Sequence, residues 1–466
     1  AVWIACTNPA HSLPDQTRVR SALEKAEFVV LQEAFADTET APFADLLLPA
    51  ASWGEKSGTV TNSERRITRV RAAVPAPGEA RPDWTIAADF ARRLAKRLDR
   101  PADGFAWADE AAVFAEHVAL SAGRDCDMSG LSHELLDARG PQQWPFPQGA
   151  QSGTARLFTD GRFSTADGRA CFNPVGFPQR HALLPEPIDA RHPFVLNTGR
   201  LRDHWHGMSR TGKVAGLWGH TPRAVVGLNP ADLGRRALRE GQLVTIKGRR
   251  GELVLPVAAD AAVALGQAWV PMHWGAAMLA QPGANALTSP ATDPVSKQPA
   301  LKQAAVAIGP AELPWRAVWA VVADSAADAA ARMAALQPVL SRFGYAAQTV
   351  VGRTRRVLVL HAAHAEAPAD ALLAEIDAVF ETTAQQTPLA YHDERRGIAK
   401  RARMEHGRLA AIRLVGETAA ADWLVAAIAT GDPAERLRSW LFAPLAEAPQ
   451  GLAAAGRVVC NCHGVS

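Results

Sequence analysis

Two cysteines one residue apart, Cys460 and Cys462 in "GRVVCNCHGVS", have the spacing in this sequence that most directly suggests chemistry. Thiolates so close together suit a metal ion or an iron–sulfur cluster, but a cluster takes four ligands. The other cysteines, Cys6, Cys126 and Cys171, are scattered and form no second close pair. We expect either that the pair has no metal-binding role or that the chain is cut short, and the alanine at position 1 favours truncation.

An amide and an acid, Gln32 and Glu33, end the apolar stretch "EFVVLQE", which is typical of a buried strand. In an open parallel sheet, ligands bind beyond the carboxyl ends of the strands, and an acid at that edge can hold ribose hydroxyls. The alternative is a solvated loop acid that contacts no ligand. This stretch alone leaves both interpretations open.

The stretch "LNTGRLRDHWHG" combines several groups suited to a phosphate and a flat ring. Thr198 offers a hydroxyl, Gly199 lets the backbone approach a ligand closely, and Arg200 offers a bidentate fork for phosphate. Two histidines flank Trp205, and together they favour a stacking and hydrogen-bonding wall against a heterocycle. A polar turn with one packed tryptophan is the structural alternative.

A third stretch, "ANALTSPATDPVSKQPALK", contains the amide of Asn285 and the amine of Lys302. Its proline and serine content is too high for regular structure. A long ordered loop of this kind usually has a ligand or an interface that orders it. A disordered connector is the alternative.

The elements that must position these residues change along the chain. In the first hundred residues, short apolar strands alternate with helices, which predicts a parallel sheet. From about 100 to 190 the pattern weakens, and we expect insertions and a connector. From "HPFVLNTG" onward, short strands with glycine turns predict a small barrel, and "VTIKGRRGELVLPV" predicts a hairpin within it. After Pro310, strands and alanine-rich helices form a third region, which closes with a second hairpin.

Composition narrows the class of protein. A length of 466 residues is too great for one core, and three domains is the natural expectation. A net charge of +3 without a basic block gives no indication of nucleic acid as a partner. No apolar run approaches the roughly 18 residues of a membrane span. Five cysteines without framework spacing fit a reducing compartment.

Four stretches, taken together and in order, resemble the molybdopterin oxidoreductases that use bis-molybdopterin guanine dinucleotide. They are "FADTETAPFADLLLPAASWGEKSGTVTNSERR", "LFTDGRFSTADGRACF", "LNTGRLRDHWHGMS" and "ANALTSPATDPVSKQPALK". The resemblance covers about the first 310 residues and is greatest to the C-terminal half of bacterial assimilatory nitrate reductase catalytic subunits. It implies reduction of nitrate to nitrite by oxygen-atom transfer, in the cytoplasm.

The resemblance implies cofactor contacts at defined positions. Asp83 suits the N1–H and exocyclic amine of guanine, Glu33 suits a ribose and Lys56 suits a phosphate. The implied cofactor-binding residues are Asn8, Gln32, Glu33, Lys56, Asp83, Thr198, Gly199, Arg200, Leu201, Arg202, Asp203, His204, Trp205, His206, Gly207, Asn285 and Lys302. His273 and Trp274 are candidates for a substrate channel, although a packed core tryptophan is an equal alternative. Cys6 is expected to be a buried structural thiol.

Other parts of the reaction machinery are implied outside this sequence. The resemblance assigns a 4Fe–4S cluster and a molybdenum ligand to an absent N-terminal segment, so no catalytic residue is identified here. The motif "VVCNCHGVS" resembles the start of a small 2Fe–2S domain of the bacterioferritin-associated-ferredoxin type. Cys460 and Cys462 would then supply half of the ligands, and a flavoprotein or ferredoxin would supply electrons. We expect the chain to be truncated at both ends.

The predicted fold class is therefore α/β and multidomain. We expect residues 1–188 to end a Rossmann-like α/β domain, 189–309 to form a double-psi-type β-barrel, and 310–456 to form an α+β domain. The 2Fe–2S domain would begin at 457–466. Two alternatives remain: a formate dehydrogenase of the same fold, and a non-catalytic electron-transfer or scaffold subunit. "HWHG", "DPVSKQP" and the cysteine pair favour nitrate.

Overall fold

A computed structural model describes residues 1–172, 186–381 and 389–449. Cys460 and Cys462 lie outside these described residues. The chain divides into two compact units. The first comprises Ala1–Cys6, Phe28–Ala36 and Ala44–Gln179, and the second comprises Thr7–Glu27, Asp37–Phe43 and Arg180–Ser466. The domain boundaries expected from the sequence stay predictions.

The first unit contains a parallel sheet of three strands in the order β1-β2-β3. Its strands are β1 (Val2–Ala5), β2 (Val29–Glu33) and β3 (Leu46–Pro49). The central strand is the most buried, because Val29 and Leu31 are both fully covered. All three strands run the same way, so Gln32 and the residues after it lie at the carboxyl edge, where the sequence predicted them.

The rest of this unit is more regular than the sequence indicated. A second sheet is antiparallel, and the described residues of this unit also include three helices. Its elements are β4 (Gly58–Thr61), β5 (Arg66–Val70) and β6 (Gln142–Gln143), with helices Asp83–Arg97, Glu110–Leu120 and His133–Arg139. Ile67, Phe114 and Phe146 form a small core of their own. The stretch expected to be insertions and connector thus includes two helices, which Asp109 and Ser132 cap through their side chains.

The second unit contains a closed six-stranded barrel in the order β10-β8-β11-β7-β12-β9. Its strands are β7 (Phe194–Gly199), β8 (Val226–Leu228), β9 (Leu243–Lys247), β10 (Glu252–Ala259), β11 (Gln267–Pro271) and β12 (Ala304–Pro310). The predicted hairpin is the antiparallel pair β9–β10. Helices Pro9–Ser12, Gln16–Lys25 and Pro230–Arg235 also belong to this unit.

The same unit continues into an antiparallel sheet of six strands, ordered β14-β15-β13-β18-β17-β16. The strands are β13 (Trp315–Ala323), β14 (Tyr345–Val351), β15 (Arg356–His364), β16 (Leu389–Asp393), β17 (Ile398–Glu405) and β18 (Arg408–Val415). In the described part of this region, four helices accompany the strands: Ala326–Leu340, Asp370–Val379, Ala421–Thr430 and Ala434–Leu437. The predicted closing hairpin is β17–β18.

One apolar core runs from the barrel interior to one face of this sheet. Leu196 and Val226 in the barrel belong to the same buried cluster as Trp319 and Leu360 in the sheet. The opposite face carries a separate cluster around Val318 and Leu424. The predicted fold class is confirmed as a mixed α/β chain with a parallel sheet and a closed six-stranded barrel. Within the described ranges, no helix has the length and apolar character that a bilayer span requires.

Candidate functional site

Three of the predicted contact residues in the first unit meet at the carboxylate of Asp83. Lys56 Nζ lies 2.6 Å from Asp83 Oδ2, and Gln32 Nε2 donates to Asp83 Oδ1 at 2.8 Å. Asp83 is the first residue of its helix, Gln32 stands in β2, and Lys56 follows a short 3₁₀ turn closed by a capping box. Elements distant in sequence thus place an amide and an amine against one acid.

Hydrogen bonds from Lys56 and Gln32 keep the Asp83 carboxylate ionised. Burial raises the pKa of Asp83, but the hydrogen bonds from Lys56 and Gln32 outweigh burial, so the pKa lies below its ordinary value. Its side chain remains 32% exposed, which leaves it accessible to a ligand. Glu33, at the strand end, accepts the amide of Ala34 at 2.7 Å, so its carboxylate caps the turn after β2.

The prediction that Cys6 is a buried thiol is wrong. Cys6 is exposed, and its Sγ lies 3.8 Å from Asp83 Oδ1. It follows β1 with a φ of 60°, so the chain turns sharply at the strand end and directs the residue outward. Partial burial and the charge of Asp83 raise the pKa of this thiol. Cys6 therefore belongs to the Asp83 cluster, not to a core.

In the second unit, the predicted loop after β7 is tied to Lys302. Its amine donates to the Thr198 carbonyl and, at 3.0 Å, to the Thr198 hydroxyl oxygen. The Thr198 hydroxyl donates to the Leu301 carbonyl at 2.9 Å. Gly199 is needed for a reason the sequence did not reveal, because a Cβ there would lie 2.4 Å from Nε1 of Trp269.

His273 holds the same loop in place through two hydrogen bonds. The Leu201 amide donates to His273 Nε2 at 2.8 Å, and His273 Nδ1 lies 2.8 Å from the His206 carbonyl. One nitrogen accepts and the other donates, which requires the neutral ring with its proton on Nδ1. Burial lowers the pKa of His273, in agreement with that form. The side chain is fully buried, so the structure shows a brace for the loop, and its proposed place in a channel stays a prediction.

The exposed side of the loop carries positive charge beside an aromatic face. The Arg200 guanidinium lies 5.6 Å from the ring centroid of Trp205, whose side chain is 54% exposed. Within the described residues, Arg200 has no carboxylate partner. Partial burial and the charge of Arg200 lower the pKa of Lys302. The pKa of His206 is lowered by burial and also by Arg200, so these groups share one electrostatic environment.

His204 faces the opposite way, into an aromatic cluster. Its ring lies 4.9 Å from that of Trp218 and 5.7 Å from that of Trp274. Burial lowers the pKa of His204 to about 4, and its Nε2 has no hydrogen-bond partner among the described residues. Trp274 is 1% exposed, which agrees with the alternative that it is a packed core tryptophan. The two histidines around Trp205 therefore differ, since only His206 is exposed.

Two further loop residues form an ion pair network at the surface. Asp203 Oδ2 lies 2.6 Å from His220 Nδ1, and Arg202 Nε lies 3.4 Å from Asp203 Oδ1. These contacts stabilise the outer turn of the loop. Gly207 lies over His11, whose ring would be 3.0 Å from a Cβ placed there.

Asn8 and Asn285 make contacts within the protein. Asn8 donates to Glu39 Oε2 at 2.6 Å and accepts from the Thr40 amide at 3.1 Å. Asn285 donates to the carbonyls of His11 and Ser12 at 2.9 and 3.2 Å.

Glu39 was missed by sequence reasoning. Its carboxylate is 2% exposed and contacts the amide of Ala277 at 3.3 Å. It also lies 3.6 Å from Nδ1 of His11. The signal available was an acid within the quoted stretch "FADTETAPFADLLLP", but nothing in its spacing separates it from a surface acid.

No candidate metal centre accompanies these clusters. Within residues 1–172, 186–381 and 389–449, no three His, Cys, Asp or Glu side chains gather as metal ligands. The predicted cysteine ligands Cys460 and Cys462 lie outside those ranges. In the second unit, Arg200, Lys302 and the exposed ring of Trp205 are suited to binding an anionic, ring-containing ligand.

Comparison with known families fits this chemistry. Residues 1–93 match the family model described as molybdopterin oxidoreductase, and residues 194–305 match the one described as molydopterin dinucleotide binding domain. The chain thus contains one region that matches the molybdopterin oxidoreductases and a second that matches their dinucleotide binding domain. The Asp83 cluster falls in the first matched region and the Thr198–Gly207 loop with Lys302 falls in the second.

Individual relatives cover about two thirds of the chain. A nitrate reductase of Synechocystis sp. is 44% identical over 66% of this chain and 43% of its own length. The assimilatory nitrate reductase catalytic subunit of Bacillus subtilis is 33% identical over 66% and 42%. A formate dehydrogenase subunit alpha of Methanocaldococcus jannaschii is 34% identical, also over 66% and 42%. The chain thus spans less than half the length of these relatives.

Among solved structures, the acetylene hydratase from Pelobacter acetylenicus aligns with 66% of this chain and 44% of its own. The TM-score is 0.45 and the sequence identity is 16%. A likeness at this level adds nothing to the family assignment.

Proposed function

We propose that this chain binds molybdenum as bis(molybdopterin guanine dinucleotide) and forms part of a nitrate reductase. The observation that carries the proposal is the cationic group Arg200 and Lys302 beside the exposed ring of Trp205. A pterin guanine dinucleotide carries a pyrophosphate between two flat ring systems. A guanidinium, an amine and an aromatic face are the groups such a ligand requires.

The donors and acceptors of the second unit fit the phosphate end. Lys302 is held by both oxygens of Thr198, so its amine is positioned before any ligand arrives. Leu301 and Gln303 have φ values of 52° and 58°, so the chain is bent on both sides of Lys302. We assign Lys302 and Arg200 to phosphate binding and Trp205 to stacking. His273 then acts as a positioning residue, because it holds Leu201 and His206 on the loop.

The Asp83 cluster fits a guanine edge. Guanine presents N1–H and an exocyclic amine side by side, and an ionised carboxylate accepts both, whereas adenine lacks this pair of donors. The lowered pKa of Asp83 keeps the carboxylate ionised. Lys56 occupies Oδ2 in this structure, so binding of the base would require the amine to move or to share that oxygen.

The bound molybdenum centre would supply two-electron oxygen-atom transfer, which converts nitrate to nitrite. The residues of this chain bind and orient the cofactor through the contacts described above. The described residues supply no proton donor that we assign to the reaction. A 4Fe–4S cluster, a 2Fe–2S cluster that uses Cys460 and Cys462, and a flavoprotein or ferredoxin donor remain proposals from the sequence resemblance. So does a cytoplasmic location.

Nitrate is preferred to formate as the substrate on three sequence features. "HWHG", "DPVSKQP" and the Cys-x-Cys pair favour nitrate, and the relatives reported above include nitrate reductases at up to 44% identity. The formate dehydrogenase relative, at 34% identity, keeps formate as the second candidate. A non-catalytic scaffold is the third candidate. Loss of the cofactor-contact residues would favour it, but Thr198, Arg200 and Lys302 are all present.

Nucleotide analysis tests the cofactor proposal without an activity assay. The intact gene product that contains this chain would be purified from cells grown with molybdate, denatured in acid, and analysed for released nucleotide and metal. We expect guanine nucleotide and molybdenum in a ratio of about two to one, as two dinucleotides per metal require. Molybdenum with adenine or cytosine nucleotide, or neither metal nor nucleotide, would contradict the proposal.

A further inference from the structure

A cavity of about 240 Å³ lies in the second unit between the barrel and the end of the C-terminal sheet. Its polar lining consists of Arg223, Arg316, Tyr345, His361 and Thr418. None of these residues belongs to the proposed cofactor clusters. One water occupies roughly 30 Å³ in the liquid, so the cavity has room for a small ligand and several waters.

The register of the sheet places three of the polar residues on one face. Arg316 of β13 and Tyr345 of β14 both pair with Ala363 of the intervening strand β15. Paired residues on adjacent strands project to the same side, so these two side chains flank a methyl group. His361 lies two residues along β15 on that same side.

The cavity contains more positive than negative charge. Within the described residues, the Arg316 guanidinium has no hydrogen-bond or ion-pair partner. Arg223 has one acid, Asp422, at 3.4 Å, and that side chain is 73% exposed. Arg223 also lies 3.4 Å from Nδ1 of His361, an acceptor only when the imidazole is neutral. Burial lowers the pKa of His361, which keeps it neutral.

Tyr345 supplies an unpaired hydroxyl to the same space. It is 4% exposed, and its hydroxyl has no partner among the described residues. Burial raises the pKa of Tyr345, the charges of Arg223 and Arg316 lower it, and the charge of Asp422 raises it. Among the described residues, the Tyr345 hydroxyl and the Arg316 guanidinium are donors without an acceptor. Arg223, which contacts Asp422 and His361, adds a third donor group.

We propose that this cavity binds a small inorganic oxyanion between Arg223 and Arg316, with the Tyr345 hydroxyl as a third donor. Guanidinium forks match the oxygen spacing of oxyanions and offer no comparable fit to a spherical halide. The site is independent of the proposed cofactor, so its test uses the full chain without molybdenum. Phosphate, sulfate and nitrate serve as probes, and chloride is the halide control.

Binding is measured by calorimetric titration and by thermal unfolding at constant ionic strength. Phosphate and sulfate stabilise many proteins through exclusion from the surface. The informative signal is therefore the part of the stabilisation that saturates with anion concentration and that differs between the wild type and the variants. We expect at least one oxyanion to bind the wild-type chain saturably. Arg316→Met should weaken that binding at least tenfold. Arg342→Met is the matched control, because Arg342 lies in the same sheet domain, is 49% exposed and pairs with Glu375.

A second variant covers the case in which Arg316→Met does not fold. Tyr345→Phe retains the ring in the core and removes only the hydroxyl, and it should weaken binding several-fold. Equal affinity in the wild type, Arg316→Met and Tyr345→Phe would overturn the proposal. Absence of saturable binding for all three oxyanions, or equal binding of chloride, would also overturn it.

Discussion

Lys302 donates hydrogen bonds to both the carbonyl and the hydroxyl oxygen of Thr198, which lies 104 residues earlier in the chain. This contact joins the end of the barrel strand β7 to the loop before β12. Burial and the nearby charge of Arg200 both lower the pKa of the amine. An amine fixed in this way is positioned to bind an anion.

The first prediction concerns that cation. Lys302→Met should reduce cofactor affinity roughly 10- to 100-fold, because a hydrogen bond to a charged group contributes about 1.5–3 kcal/mol. Lys297→Met is the matched control, since Lys297 is an exposed lysine in the same loop. The measurement is guanine nucleotide retained per protein after gel filtration of the intact gene product. Equal retention in both variants would remove Lys302 from the site.

The second prediction concerns base selectivity at Asp83. Asp83→Asn replaces one acceptor oxygen by an amide donor, which opposes the donors of guanine. We expect guanine nucleotide content to fall about tenfold, a loss of roughly 1.4 kcal/mol. Asp89→Asn, on the same helix, should leave the content unchanged. Wild-type content in Asp83→Asn would show that another group reads the base.

The third prediction tests the brace beneath the loop. His273→Phe keeps an aromatic ring but removes both hydrogen bonds, to the Leu201 amide and the His206 carbonyl. Amide hydrogen exchange of Leu201 should become roughly 5- to 100-fold faster, because leaving a buried amide without its acceptor costs about 1–3 kcal/mol. His204→Phe, in the same aromatic cluster, should not change it. Unaltered Leu201 protection in His273→Phe would contradict the bracing role.

The fourth prediction is a pH dependence of stability. The pKa of His204 falls from an ordinary 6.5 to about 4 in the folded chain. Below pH 6.5 the unfolded chain therefore binds a proton that the folded chain excludes, and stability falls as the pH approaches 4. This group alone accounts for a loss of about 3 kcal/mol across that window. Above pH 6.5 both states are neutral and its contribution is constant.

Urea unfolding at a series of pH values between 4 and 7 measures this effect. His204→Phe should reduce the slope of unfolding free energy against pH by the equivalent of about one proton. His117→Gln, on the exposed face of its helix, is the control and should leave that slope unchanged. Other histidines, including His273 and His361, also have pKa values lowered by burial and contribute to the remaining slope. A profile for His204→Phe that superimposes on the wild type would contradict the assignment.

The fifth prediction concerns a buried acid in the C-terminal sheet domain. Asp377 Oδ2 accepts from Arg413 at 2.6 Å, and Asp377 Oδ1 accepts from the indole of Trp319 at 2.8 Å. Both members of the ion pair are buried. Asp377→Asn leaves Arg413 without its counter-charge and should reduce the free energy of unfolding by about 3–5 kcal/mol. Glu366→Gln, an exposed acid in the same domain, should change it by less than about 0.5 kcal/mol. Equal effects would contradict the buried pair.

Local sequence patterns predicted the elements that depend on near neighbours. The apolar run ending at Gln32 and the hairpin built on "VTIKGRRGELVLPV" are each determined by residues a few positions apart, and both occur in the structure. The cluster around Asp83 required more, because Gln32 and Lys56 reach it from distant parts of the chain. Family resemblance supplied that information where periodicity could not.

Long-range packing explains what sequence reasoning missed. The cover of Gly199 by Trp269 depends on the pairing of β7 with β11, which no short motif encodes. The exposure of Cys6 depends on a left-handed turn at the end of β1. The facing of Arg316 and Tyr345 across Ala363 depends on the register of three strands. Each depends on how strands pair or how the chain turns in the folded protein, and short sequence motifs do not determine this.

The most direct test of the central proposal is turnover by the intact gene product that contains this chain. It would be expressed with molybdate and, separately, with tungstate, and oxidation of a reduced viologen would be followed on addition of nitrate. We predict nitrate-dependent oxidation in the molybdate preparation and none in the tungstate preparation. A preparation that contains molybdenum and guanine nucleotide, yet oxidises no viologen with nitrate and instead oxidises formate, would contradict the account.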